Sequence, residues 1–155
     1  MLSELVENYG FLKYTQLEMI DGEIPLIKES NKKNCLYAIA INDELVYIGQ
    51  TVSMRKRINY YRTSIKRETP TADTRKSKLI HEALRVGSKV EFYFRQCFDL
   101  DIHNDNGKSI ISTADFEEPV LIRKFKPKWN TVHVKKTKYC KPRCIKIIQE
   151  SDGGN

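Results

Sequence analysis

The sequence predicts an α+β domain with α/β/α-like layering, in which a small, largely antiparallel, three-stranded sheet is flanked by helices. Two observations carry this. Runs of β-forming residues at 36–41, 45–48 and 89–98 are bounded by turn residues, and the first two are close enough to form a hairpin. Residues 53–67, 74–86 and 115–125 instead place apolar side chains at helical spacing. A length of 155 residues suits one domain with one modest core. Within it, residues 35–130 form the core, 1–34 an N-terminal addition and 131–155 a basic extension.

Residues 3–13 read as a short helix, with Ser3 as its cap and Gly10 near its end. Met19, Ile20, Ile24 and Leu26 flank Asp21-Gly22, which is a hairpin signal. The segment is slightly acidic. It therefore serves better as an added layer on the core, or as an interface with another copy, than as a phosphate contact.

Leu36–Ile41 and Leu45–Ile48 are joined by Asn42-Asp43-Glu44, and their register has two solutions. A three-residue loop sets Ile41 opposite Leu45, Ile39 opposite Tyr47 and Tyr37 opposite Gly49. Tyr37 and Tyr47 then share one face, with a gap beside the Tyr37 ring where Gly49 has no side chain. A two-residue turn puts the tyrosines on opposite faces, because a slip of one residue flips every side chain.

Ser53 is placed to cap the following helix, whose buried stripe is Met54, Ile58, Tyr61 and Ile65. Arg55, Lys56, Arg62, Lys66 and Arg67 lie mostly off that stripe. Arg57 borders it. Its guanidinium either reaches over the sheet edge towards the tyrosines or covers the core with its aliphatic stem. Residues 68–73 are a loop, and a second helix runs from Thr74 to Val86 and stops at Gly87. Its stripe is Leu79, Ile80, Ala83 and Leu84. Lys76 sits at the N-terminal end of that stripe and can approach the face that Arg57 approaches. His81 lies off the stripe and reads as a solvated or capping histidine.

A third strand spans 89–98, and the polar, acidic stretch 99–112 with Asn106-Gly107 is a loop or short ribbon. In the helix 115–125, Asp115 and Glu118 have capping-box spacing. Pro119 lacks a backbone donor and belongs in the first turn. Glu118 is then either a capping acid or a carboxylate pointing outward from the helix start, with Glu117 as the fallback ligand. Leu121, Ile122 and Phe125 anchor the helix to the sheet. Residues 126–139 are extended and basic. Asn130, whose amide both donates and accepts, ties this strand back to the site or is a turn residue after Trp129. The tail from Cys140 forms a short strand and frays into its final residues.

The formal charge of +7 is unevenly distributed. Residues 52–91 carry eleven Lys/Arg against four acids, and 123–146 carry ten Lys/Arg and no acid. Between them, 92–122 carry two bases against six acids. Two basic blocks of this kind suit a polyanion, nucleic acid first. No apolar run approaches the roughly 20 residues needed to span a bilayer, and the N-terminus lacks a signal-peptide pattern, so a cytoplasmic protein without a membrane partner is expected. Cys35 and Cys97 lie in strand-like runs and read as buried thiols. Cys140 and Cys144 with His133 lack a fourth ligand for zinc.

The motifs now line up. Cys35-Leu36-Tyr37 precedes Tyr47-Ile48-Gly49, and Arg57 stands eight residues after Gly49. Glu118, Leu121, Ile122, Pro127 and Asn130 form an ExxLIxxxxPxxN pattern downstream. In this order and spacing the chain resembles the GIY-YIG nuclease family, with Cys-Leu where that family has Gly-Ile. The segments INDELVYIG, RKRINYYRT, GSKVEFY and RQCF narrow the likeness to a branch carried by T-even bacteriophages, over most of residues 5–135.

The resemblance implies a GIY-YIG fold and hydrolysis of phosphodiester bonds to a 5′-phosphate and a 3′-hydroxyl. It implies Glu118 as the ligand of Mg²⁺ or Mn²⁺, a single carboxylate being enough for an ion that keeps its waters. Arg57 and Lys76 would hold the phosphate, Tyr37 would act as general base, Tyr47 would position water or phosphate, and Asn130 would close the site. Double-stranded DNA is the implied partner, and unmodified cytosine-containing host DNA the implied target. Arg55, Lys56, Arg62, Lys66, Arg67, Lys126, Lys128, Lys135 and Lys136 are the candidate DNA contacts. One site cuts one strand, so a homo-oligomer, dimer or tetramer, is expected. The competing readings are a restriction-type or repair endonuclease of the same family and a non-catalytic DNA-binding module.

Overall fold

The structure, a computed structural model, describes residues 1–134 and 146–148. Helix α1 (Leu2–Tyr9) leads into strand β1 (Leu12–Leu17). Strands β2 (Lys33–Ile41) and β3 (Glu44–Ser53) form the expected hairpin, and helices α2 (Met54–Thr63) and α3 (Ala72–Arg85) follow, joined through a single 3-10 turn at Ser64–Lys66. Then come β4 (Val90–Gln96), β5 (Asp99–Asn104), β6 (Gly107–Ser112), α4 (Ala114–Phe125) and a short β7 (Lys146–Ile148). The main sheet has the order β1-β4-β2-β3, and all its pairings are antiparallel. β5, β6 and β7 form a separate antiparallel ribbon, which resolves the stretch 99–112 as ribbon rather than loop.

The layering follows from the alternation of side chains along β2. Cys35, Tyr37 and Ile39 face Met54, Ile58, Tyr61 and Ile80 of α2 and α3. Leu36, Ala38 and Ala40 face Leu2, Leu5, Leu121, Ile122 and Phe125 of α1 and α4. Because both faces of β2 are covered, all six residues from Cys35 to Ala40 are buried, and the strand reads as a continuous apolar run.

The sheet has four strands, not three. The added one, β1, was hidden by a bulge. Lys13 pairs with Tyr93 and Thr15 with Phe92, so Tyr14 is the extra residue and two neighbours, Tyr14 and Thr15, are both buried. That doubled burial breaks the period-2 signal. Helix α1 is shorter than the stretch 3–13. It ends at Gly10, which takes the left-handed conformation (φ 67°), and it has no side-chain cap from Ser3. Asp21-Gly22 closes only an isolated bridge between Ile20 and Glu23.

The β2–β3 turn also differs from expectation. Asn42 and Asp43 both have positive φ (48° and 65°), and Ile41 pairs directly with Glu44, so the turn has two residues. A bulge at Val46 then restores the register. Ala40 faces Leu45, whereas Ile39 faces Tyr47 and Tyr37 faces Gly49. The pairing of the tyrosines that a three-residue loop implied is therefore present, produced by the bulge.

Ser53 caps α2 as expected, accepting from the Lys56 amide at 3.3 Å. Thr71 and Thr74 form a reciprocal cap on α3, which begins two residues before the expected Thr74. His81 is buried, not solvated, with Nδ1 2.8 Å from the Ser77 carbonyl oxygen. In α4 the N-cap is Thr113, so Asp115 and Glu118 do not form a capping box. The helix starts early enough that Pro119 falls in its second turn, where it is buried.

Glu91 is 3% exposed on the α1/α4 side of the sheet, where Lys13 and Lys89 reach its carboxylate. Burial pushes its pKa up, but the hydrogen bond and charge of Lys13, with Lys89 behind them, outweigh this and hold it below the ordinary value. A carboxyl so depressed adds stability that is present above its unfolded value, about 4.3, and is lost as pH falls through the folded one. Acid titration of the unfolding midpoint should therefore show a loss of stability below about pH 4.3, and Glu91→Gln should weaken that dependence.

Candidate active site

The site is built around the outer edge of β3, the last strand of the sheet. One face of that edge meets α3 and the other meets α4. A cleft of about 200 Å³ opens there, lined among others by Tyr47, Lys76, Glu118 and Asn130. These four come from β3, α3, α4 and the segment after α4. Of the six residues singled out for chemistry, four thus share one cleft; Arg57 connects to it through Asp73 and Lys76, and Tyr37 lies behind it, its ring against that of Tyr47.

The Tyr37 and Tyr47 rings lie on the α2/α3 face with centroids 5.8 Å apart. Gly49 makes this arrangement available. A Cβ on Gly49 would lie 2.7 Å from Cε1 of Tyr47 and 3.0 Å from Cε1 and Cζ of Tyr37, closer than packed atoms tolerate. The gap inferred beside Tyr37 is therefore filled by the two rings.

Tyr37 is 1% exposed and its hydroxyl lies 2.7 Å from that of Tyr61. Burial, and then the neighbouring Tyr61 and Tyr47, push its phenol well above the ordinary range, while Arg57 pulls weakly the other way. Tyr61 is also raised, again mainly by burial. Tyr47 is only half-buried and faces the cleft. Lys76 donates to its hydroxyl at 3.2 Å and lies 4.3 Å over its ring centroid.

Arg57 extends from α2 to Asp73 on α3, with Nη1 3.2 Å from Oδ2, and Lys76 Nζ lies 3.2 Å from Oδ1 of the same carboxylate. The guanidinium is thus directed across to α3 rather than lying along the core, and the Tyr37, Tyr61 and Tyr47 phenols are near enough to act on its charge. Burial works against its charge, and Tyr37, Tyr61 and Asp73 more than offset this.

Glu118 is half-buried and accepts from Nε2 of Gln50 at 2.7 Å. Its neighbour Glu117 turns away to Arg95 and Cys97, which removes it as a fallback ligand. Asn130 binds both backbone groups of Ile48: its Oδ1 accepts from the Ile48 amide at 3.0 Å and its Nδ2 donates to the Ile48 carbonyl at 2.8 Å. With the Trp129 amide donating to the Val46 carbonyl, this closes the free edge of β3 beside the cleft.

The candidate DNA contacts divide. Lys56 and Lys126 are exposed. Arg55 and Arg62 donate to the carbonyls of Ile27 and Ile24, Lys66 pairs with Glu23, and Arg67 lies over the Tyr60 ring. The N-terminal addition thus lies against the basic face of α2. With Leu26, Ile27 and Ile58, the residues Arg55, Lys56 and Arg62 line a separate groove of about 290 Å³. Lys128 pairs with Glu44 at the hairpin turn. Lys135, Lys136, Cys140 and Cys144 lie outside the described residues. Among the described residues, no group of three or more His, Cys, Asp or Glu is placed to hold a metal, and no helix is long and apolar enough to cross a membrane.

Three residues of the site escaped sequence reasoning. The sequence puts Asp73 at the end of a loop, although its spacing of three from Lys76 is an ion-pair signal once α3 starts at Ala72. Gln50 had no signal beyond its place next to Gly49. Tyr61 reads as core from its spacing, and its ring is core, but its hydroxyl also meets that of Tyr37.

No family model matches the chain. Endonuclease II of Enterobacteria phage T4 is 56% identical to it over 136 residues, 87% of this chain and 100% of that protein. A solved structure of the bacteriophage T4 EndoII E118A mutant matches with a TM-score of 0.80 at 55% identity, over 83% of this chain and 98% of that one. The restriction endonuclease HPY188I in complex with product DNA matches with a TM-score of 0.51 at 16% identity, over 88% of this chain and 82% of that one, a likeness of fold.

Two outcomes are expected from this geometry. Asn130→Ala strands both backbone groups of Ile48 and should lower the urea unfolding free energy by about 1–3 kcal/mol. In an alkaline absorbance titration, Tyr37→Phe should leave the phenolate signal developed up to about pH 10 unchanged, because Tyr37 ionises above that range.

Proposed function

The chain belongs to the endonuclease II family, and from that premise we propose that it is a divalent-metal-dependent DNA endonuclease of GIY-YIG type that hydrolyses phosphodiester bonds. The observation that carries the proposal is the meeting of Tyr47, Lys76, Glu118 and Asn130 on one cleft at the edge of β3. A non-catalytic DNA-binding module would have no use for an acid and a cation facing each other there.

The donor set fits a hard ion. Mg²⁺ commonly takes one or two protein carboxylates and keeps several waters, so one carboxylate oriented by an amide is enough. Glu118 would hold Mg²⁺ or Mn²⁺, and Gln50, donating to Oε2, would fix its orientation. A bound ion of this kind supplies charge neutralisation and a more acidic water.

The chain's own residues do the rest. Arg57 and Lys76 present two cations from two helices, matched to a phosphate whose charge grows as the bond breaks. Tyr47 lines the cleft and positions water or phosphate through its hydroxyl, which Lys76 already contacts. The base role implied for Tyr37 requires substrate to reach the hydroxyl of a residue that is 1% exposed, a hydroxyl already bonded to Tyr61. Lys56 and Lys126, both exposed, are available to meet the backbone of double-stranded DNA. We place the target in unmodified host DNA of an infected cell, on the strength of the likeness to a phage enzyme. For double-strand cutting, a domain with one such cleft calls for two copies, and we propose a homo-oligomer, dimer or tetramer.

Supercoiled plasmid at low salt tests this directly. Wild-type protein with Mg²⁺ should give nicked and then linear DNA, and Glu118→Ala should give neither while still binding. Full cleavage by Glu118→Ala would overturn the metal assignment. Binding without cleavage by both proteins, on modified and unmodified cytosine substrates alike, would leave the DNA-binding module.

A further inference from the structure

We infer that Asp73 is a positioning residue for the proposed cleavage, holding Arg57 and Lys76 side by side as a pair ready to receive one phosphate. The inference rests on the endonuclease reading of the same site. Its carboxylate gives one oxygen to each cation at the same distance: Oδ2 to Arg57 and Oδ1 to Lys76, 3.2 Å in both cases. Among the described residues, the Arg57 guanidinium makes its hydrogen bond and ion pair to Asp73 alone. Without Asp73, two like charges would face each other across the α2–α3 contact and swing apart.

The carboxylate is built in place. Asp73 is the second residue of α3, after the Thr71 cap, where the helix dipole favours a negative charge. The buried Ser64 hydroxyl lies 3.5 Å from its backbone carbonyl and ties the helix start to the 3-10 turn after α2. Its partner Lys76 is on the same helix, one turn on, so that pair does not depend on a ligand. The side chain is about a quarter exposed and, with Arg57, lines a neighbouring groove of about 310 Å³, while its other partner Lys76 lines the cleft itself. A group fixed in this way stays when DNA arrives. It leaves the pair with one net positive charge, which lowers attraction for the phosphate backbone in return for geometry.

A placeholder that merely occupied the phosphate position would behave in the opposite way in turnover, and this separates the two. Asp73→Asn should bind uncleaved DNA more tightly in Ca²⁺, with a log–log salt slope steeper by up to about one unit. Its kcat in Mg²⁺ should fall by about a hundredfold, the usual loss when a catalytic group is misplaced by an ångström. KM should fall or hold. Asp73→Glu keeps the charge but moves the carboxylate by one methylene. Its salt slope should match the wild type while its kcat is still reduced, and it serves also where Asp73→Asn fails to fold. A wild-type kcat in both variants, or a raised kcat in Asp73→Asn, overturns the inference. Wild-type protein assayed alongside separates this from failure of the endonuclease reading. If the wild type does not cut, that reading falls and the positioning role falls with it.

Discussion

The missing side chain of Gly49 is the constraint on which the site depends. β3 can bring its tyrosine against that of β2 only where the residue opposite Tyr37 has no Cβ, since one built there would meet both rings at 3.0 Å or less. With that space filled by rings, Tyr47 is pressed outward to the cleft and Tyr37 inward to Tyr61. The bulge at Val46 sets the parity, and a hairpin of the same turn without it would send the tyrosines to opposite layers. Turn, bulge and glycine act together, and the chemistry is downstream of all three.

The second feature is the use of a sheet edge. An exposed edge strand offers unpaired backbone groups, which proteins commonly cover. Here Trp129 and Asn130 cover it, and the cover is itself part of the cleft. Because β3 has no neighbour beyond it, residues from opposite faces of the sheet can meet around its rim. Lys76 arrives from the α2/α3 layer and Glu118 from the α4 layer. A central strand would have kept the acid and the cation apart by the thickness of the sheet.

Electrostatics divides the site in the same way. The inner tyrosines are neutral groups in a dry environment, with burial as the main cause of their raised pKa. The outer rim holds the charges, and these are paired in sequence: Arg57 to Asp73, Asp73 to Lys76, Lys76 to the Tyr47 hydroxyl. The N-terminal addition plays a parallel part on the far side of α2, where its carbonyls and Glu23 engage Arg55, Arg62 and Lys66. The acidic composition of that segment matches its place against a basic helix.

The sequence by itself determined the elements whose signals are local. The hairpin, Ser53 as a cap, the Met54, Ile58 and Tyr61 stripe of α2 and the order Tyr37, Tyr47, Arg57, Glu118, Asn130 could be read from spacing and motif, because helix and strand periods are set by the backbone; in α3 only Ile80 of the expected stripe is fully buried, with Thr74, Ser77 and His81 beside it. Asn130 was legible too, since an amide that donates and accepts can satisfy both groups of one residue. What only the tertiary structure decided were the features that depend on distant partners. β1 was masked by a bulge that doubles its burial, and His81 looked solvated because its partner is the Ser77 carbonyl within its own helix. The cap reading of Glu118 failed because the N-cap of α4 is Thr113, two residues before Asp115. Asp73, Gln50 and Tyr61 acquired their roles only when two helices and a strand edge converged. A side chain's period can be read along the chain, but its partner across space is fixed by packing.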